Sequence, residues 1–179
     1  DGRFEPDETA LLLSRFADAD VFVDIGANVG LFTCLAVSKG LHAVAVEPLA
    51  ENLRTLYLNI RNNDLRDVEV CPVGVAEEPG LRTLYGGATG ASLLEGWAHA
   101  SSLMARTVPI TTLDNLLRGR FEGKRLVVKM DIEGAELGDG LRVPLAWQDI
   151  RLQTLEALGR GEEAQTFRWD CFERTLSDS

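Results

Sequence analysis

Val21-Phe22-Val23-Asp24-Ile25-Gly26-Ala27-Asn28-Val29-Gly30-Leu31-Phe32-Thr33 is the stretch whose reading decides the fold. Its β-branched and aromatic opening predicts a buried strand. The chain then breaks at Asp24 into a glycine-spaced turn and continues from Val29 to about Ser38 as a helix, closed by a cation and a glycine at Lys39-Gly40. Strand, glycine turn and helix make the first unit of a nucleotide-binding α/β sheet. Gly26 permits a backbone geometry closed to residues with a Cβ and leaves room for a ligand against the main chain. Gly30 lets the helix start pack close to the strand. Asp24, at the strand's carboxyl end, is placed to accept hydrogen bonds from a cationic or hydroxylated ligand. The plainer alternative is a turn that only joins a core strand to a core helix.

A second acidic strand tip weighs against that alternative. Leu41-His42-Ala43-Val44-Ala45-Val46 reads as the next strand and ends at Glu47, before Pro48. Glu47 lies about twenty residues beyond Gly26, where such folds place a carboxylate that binds a ribose hydroxyl pair. The turn does not suit a dinucleotide, which needs backbone amides presented to a pyrophosphate. Asn28 stands where the dinucleotide pattern has its second glycine, Leu31 where it has its third, and Asp24 before the turn repels phosphate. S-adenosylmethionine (SAM) carries a ribose, an adenine and a cationic amino acid but no phosphate, and these residues fit it better.

Asp24 to Thr33, followed by Val46-Glu47-Pro48, resembles the SAM-dependent methyltransferases of the FkbM family. The likeness extends through Ser92-Leu93-Leu94, through Val108-Pro109-Ile110-Thr111-Thr112-Leu113-Asp114, and through Val128-Lys129-Met130-Asp131-Ile132-Glu133-Gly134-Ala135-Glu136. The resemblance implies a Rossmann-like, doubly wound, mostly parallel sheet of the class I SAM methyltransferase type. It also implies transfer of the SAM methyl to a hydroxyl oxygen on a sugar or natural-product acceptor. In that scheme Asp24, Gly26, Asn28 and Gly30 hold the methionine end and Glu47 takes the ribose. Asp131 is the candidate catalytic residue, receiving the hydroxyl proton, hydrogen-bonding substrate, or binding a divalent cation with Glu133. A carboxylate is a weak base for a hydroxyl unless burial raises its pKa. Replacing Glu47 with Ala is expected to weaken SAM binding and leave the fold intact.

Composition narrows the partners. A chain of 179 residues with 45% hydrophobic content is long enough for one domain with a real core. A formal net charge of -10 argues against nonspecific nucleic-acid binding, which needs lysine and arginine to neutralise phosphates. No apolar run approaches membrane-spanning length. Cys34, Cys71 and Cys171 are an odd number without metal-ligand spacing, which fits reduced thiols in the cytoplasm. Cys34 and Cys71 read as small core residues.

The rest of the chain divides into an N-terminal helical segment over residues 1–20, a methyltransferase core over 21–137 and a divergent segment over 138–179. Residues 5–17 read as a helix. Pro48 suits the first turn of the helix in which Leu49, Leu53, Leu56 and Ile60 form one apolar face. Val68-Glu69-Val70-Cys71 reads as the third strand, and Val73 to Val75 either line an adenine pocket or continue it. Leu81–Tyr85 and Thr107–Ile110 read as an antiparallel pair around a loop that is either solvated or, as the resemblance implies, near the substrate entry, with Ser92 a candidate contact and His99 either a plain loop histidine or a general base. Thr111-Thr112-Leu113-Asp114 reads as a capped helix start. Leu126 to Asp131 reads as the fourth strand, with Lys129 a partly exposed lysine turned to the opposite face. Beyond Glu136 the likeness fails. Gly138 and Gly140 interrupt the expected helix, and no β-rich run follows, which indicates a truncated or rebuilt terminus. Two other classes remain open: a degenerate SAM-binding module without turnover, and a nucleotide-dependent oxidoreductase.

Overall fold

The computed structural model describes residues 6–85 and 105–131. Among these, residues 15–131 belong to one compact unit, and most of helix α1 (Pro6–Phe16) belongs to another and is described by itself. Proline at its first position, where the amide has no helical partner, and Arg15 in its last turn suit α1 to its two ends.

The unit then runs β1 (Val21–Ile25), α2 (Leu31–Ser38), β2 (His42–Val46), α3 (Ala50–Asn62), β3 (Val68–Cys71), β4 (Gly74–Val75), β5 (Gly80–Leu84), β6 (Arg106–Thr111), α4 (Leu113–Leu117) and β7 (Leu126–Met130). Four strands form a parallel sheet in the order β3-β2-β1-β7. The first three strands of the chain add outward in one direction, and β7 returns to the other side of β1. The strand order therefore reverses between β1 and β7, and it is at such a switch point, beyond the carboxyl ends of the strands, that α/β sheets bind ligands.

Parallel strands must be covered on both faces, and the sequence meets that demand with continuous apolar runs. Phe22, Val23, Ala43, Val44 and Ala45 are wholly buried. Strand alternation puts Phe22 and Asp24 on one face, together with their register partners Ala43 and Ala45 on β2 and Val127 and Lys129 on β7. Phe16 meets Phe22 edge to face, the ring centroids 5.0 Å apart. Leu56 of α3 packs on the same face against Ala45 and Ala27.

The small second sheet has the order β4-β6-β5, with β5 and β6 antiparallel, as the sequence predicts for that pair. Val73 to Val75 do not extend β3. Gly74 and Val75 pair instead with Ile110 and Thr111 of β6. The Thr112 side chain accepts from the amide of Asn115, 3.1 Å away, and caps α4 as expected.

Three local expectations change. Pro48 precedes α3, which begins at Ala50 with the buried Leu49 as its N-cap. Cys34 and Cys71 are only partly buried. Gly30 clears space for α3 rather than for a strand, since a Cβ there would lie 2.2 Å from Leu56 Cδ1. Leu56 thus supports the turn as well as the sheet. Leu56→Ala is expected to lower the unfolding free energy by about 2–5 kcal/mol, read from urea denaturation followed by circular dichroism.

Candidate cofactor site

The site is built where β1, β2 and β7 end. Asp24 is the fourth residue of β1, and alternation turns it to the face that carries α2. Thr33, in the first turn of α2, donates from Oγ1 to Asp24 Oδ2 at 2.6 Å. The carboxylate is 1% exposed, and its other oxygen, Oδ1, is buried without a hydrogen-bond partner. Burial pushes the Asp24 carboxyl above its ordinary range. Lys129 on the neighbouring strand and the Thr33 hydrogen bond act in the opposite direction.

The turn that follows has three residues in the left-handed region: Gly26 at φ 79°, Asn28 at 52° and Gly30 at 84°. Asparagine is among the few residues with a Cβ that visit this region readily. Four of the turn's amides are engaged internally. Gly26 and Ala27 donate to Val46 O at 2.9 and 3.0 Å, and Gly30 donates to Ala27 O at 2.8 Å. The amide of Asn28 donates to Glu47 Oε2 at 2.9 Å. Glu47 Oε1 accepts from the amide of Leu49 at 2.9 Å and from Asn52 Nδ2 at 3.2 Å. Glu47 is thus a brace that joins the tip of β2, the turn and the start of α3. Burial raises its carboxyl above the ordinary range despite the three N–H donors. Asn28 Oδ1, like Asp24 Oδ1, is buried and unpartnered.

The third acidic tip is Asp131, whose amide donates to Ile25 O at 2.9 Å and so extends the β1–β7 pairing by one residue. A Cβ on Gly26 would lie 1.9 Å from the Asp131 carbonyl oxygen. The side of Gly26 on which a Cβ would stand is filled by the backbone of Asp131. The Asp131 side chain is 51% exposed and lies 3.3 Å from Lys129 Nζ.

Lys129 departs most from its expected place. It is buried, it is the register partner of Asp24 on the same face, and its Nζ lies 5.1 Å from the centre of the Phe32 ring. The signal was in the sequence: Asp24 and Lys129 are each fourth in an apolar five-residue strand. Pairing those strands in parallel sets one against the other. The chemistry gathered here is that of carboxylate and amide acceptors, suited to a cationic or hydroxyl-bearing ligand and hostile to phosphate.

Residues 24–142 match the Methyltransferase FkbM domain, more than half of the chain. The chain belongs to the FkbM methyltransferase family. The four-stranded parallel sheet is the fold expected of an FkbM enzyme, and the family supports methyl transfer from a methyl donor to an acceptor. Residues 117–179 also match a family of unknown function, DUF6880. No curated protein matches the chain. Ser92, His99, Glu133, Glu136 and Cys171 lie outside the described residues. Among the described residues no three His, Cys, Asp or Glu side chains are gathered for a metal ion, and no helix is long and apolar enough to cross a membrane.

Two outcomes are expected in this FkbM site. Glu47→Ala leaves three N–H donors without their acceptor. Each costs about 1–3 kcal/mol if it stays buried and unpaired, so a lower urea midpoint replaces the intact fold expected from the sequence. The second concerns pH. A carboxyl with a raised folded pKa holds its proton more tightly in the folded chain, so stability falls as pH rises. The contribution is complete below the ordinary values, 3.8 for Asp24 and 4.5 for Glu47, and is lost as pH passes through the raised folded values. Asp24→Asn keeps an acceptor for Thr33 and removes one of the two titrations. Its urea midpoint is expected to fall less with rising pH than that of the native chain.

Proposed function

We propose that the chain is a SAM-dependent methyltransferase that methylates a hydroxyl oxygen of a sugar or natural-product acceptor. The observation that carries this reading is the make-up of the turn: the amides of Gly26, Ala27, Asn28 and Gly30 are bonded within the protein, while Asp24 Oδ1 and Asn28 Oδ1 are acceptors without partners. A ligand with an ammonium and hydroxyls fits such a turn, and one with a pyrophosphate does not. That chemistry supports SAM over a dinucleotide and disfavours a nucleotide-dependent oxidoreductase.

Bound there, SAM supplies an electrophilic methyl group. Asp24 and Asn28 offer their unpartnered oxygens to the ammonium end, with Gly26 and Gly30 holding the turn in shape. Glu47 Oε2 has one protein partner and keeps acceptor capacity for a ribose hydroxyl. Asp131, half exposed at the rim, accepts the acceptor's hydroxyl hydrogen and takes its proton. Holding the hydroxyl in line with the methyl supplies much of the rate enhancement. Oxygen rather than nitrogen as the acceptor atom follows from the family resemblance.

In this reading residues 1–20 are a helical preface, residues 21–137 are the methyltransferase core and residues 138–179 are the divergent segment. The free thiols of Cys34 and Cys71 support a cytoplasmic setting. A second reading, a SAM-binding module without turnover, is favoured by the DUF6880 match, which runs from within the core through the divergent segment.

Methyl-labelled SAM incubated with the chain and a panel of hydroxyl and amine acceptors separates these readings. The enzyme reading expects label on a hydroxyl acceptor, and Asp131→Asn is expected to cut turnover at least tenfold with SAM affinity changed less than threefold. Label on amines alone would overturn O-methylation. SAM binding with no labelled product would favour the module.

A further inference from the structure

Among the described residues three acidic side chains lie at this end of the sheet, and the buried Lys129 stands beside two of them, Asp24 and Asp131. Asp24 on β1, Glu47 at the end of β2 and Asp131 after β7 supply the negative charge. Lys129 on β7 is the register partner of the first and lies 3.3 Å from the last. Cys34 and Thr33 of α2 face Asp24, and Phe32 of the same helix lies beneath the ammonium. A lysine so deeply buried is costly unless paired and hydrogen-bonded. Its position between two carboxylates that serve different parts of the proposed site is therefore the feature to account for.

We propose that Lys129 is a positioning residue of the methyltransferase site: a single buried ammonium that balances Asp24 across the β1–β7 junction and orients Asp131 at the rim. The inference rests on the SAM reading above and adds a component to it. Asp24 is wholly inside the protein, and burial favours its uncharged form. A protonated Asp24 is a poor acceptor for a cationic ligand, and Lys129 opposes that protonation from the next strand. The Phe32 ring contributes a face that attracts the ammonium and fixes it over α2. Register sets the Asp24 side of the arrangement, and the two-residue spacing from Lys129 to Asp131, just past the end of β7, sets the other. Lys129 thereby couples the cofactor end of the site to the acceptor end.

The test compares the native chain with Lys129→Met, Lys129→Arg and the paired Lys129→Met, Asp24→Asn variant. Two quantities are measured across pH: the urea midpoint without ligand, and the SAM dissociation constant by calorimetry. Lys129→Met is expected to weaken SAM binding about tenfold or more at neutral pH, with affinity recovering as rising pH ionises Asp24. The native chain lacks that recovery, and Lys129→Arg retains most of the native affinity. Without ligand, the fall of the urea midpoint with rising pH is expected to be steeper in Lys129→Met than in the native chain, and shallow again in the paired variant. A merely structural lysine would lower the midpoint equally at every pH, and that result overturns the proposal. So does SAM binding by Lys129→Met with the native pH profile. If Lys129→Met does not fold, folding of the paired variant supports charge balance, and failure of both overturns it. Absence of SAM binding by the native chain overturns the SAM reading itself, while the ligand-free pH profiles still decide for or against Lys129.

Discussion

The hydrogen bonds accepted by the buried Glu47 carboxylate hold this end of the molecule together. One oxygen holds the amide of Asn28 in the turn, and the other holds Leu49 and Asn52 at the start of α3. Without them the left-handed Asn28 loses its own anchor to β2, and the turn is left to the Asn59 Nδ2 bond to Val29 O and the packing of Leu56 as its links to α3. A charged group is used where an apolar one would be cheaper to bury. The difference is geometric, because a carboxylate can satisfy several converging N–H groups and a hydrocarbon can satisfy none. That brace also decides the chemistry of the turn, since amides committed to Glu47 and Val46 are not presented to a phosphate.

The second constraint is the parallel pairing of β1 with β7. It closes the sheet at the point where the strand order reverses and brings Asp24 and Lys129 side by side from positions far apart in the chain. Gly26 lets the turn lie against the backbone of Asp131, so the turn after β1 and the residue after β7 meet directly. Acid, cation and acid lie along one edge of the junction. A displacement of β7 therefore changes the environment of Asp24 and Asp131 together.

Much of this was legible in the sequence, because strands that must be buried on both faces have to be written as apolar runs. β1, β3 and β7 fall on the runs that Val21, Val68 and Leu126 begin, and the acids that close or follow the first, second and fourth core strands mark the rim. What the sequence left open depended on pairing. Lys129 could be assigned a face only once the register set it against Asp24. The need for a glycine at position 26 came into view only once the pairing of β7 set the backbone of Asp131 against it. Val73 to Val75 looked like a continuation of β3 because a two-residue strand in another sheet has no periodicity to read. Glu47 stands out in the sequence by its position at a strand tip, but its work as a brace depends on amides from three places in the chain.

Parallel calorimetric titrations of the purified chain with SAM and with NADH test the central claim most directly. The account predicts SAM binding with a dissociation constant on the order of micromolar and no heat from NADH, because the turn offers unpartnered acceptors, with Asp24 before it repelling a phosphate. NADH binding without SAM binding, by a chain shown to be folded, would contradict it.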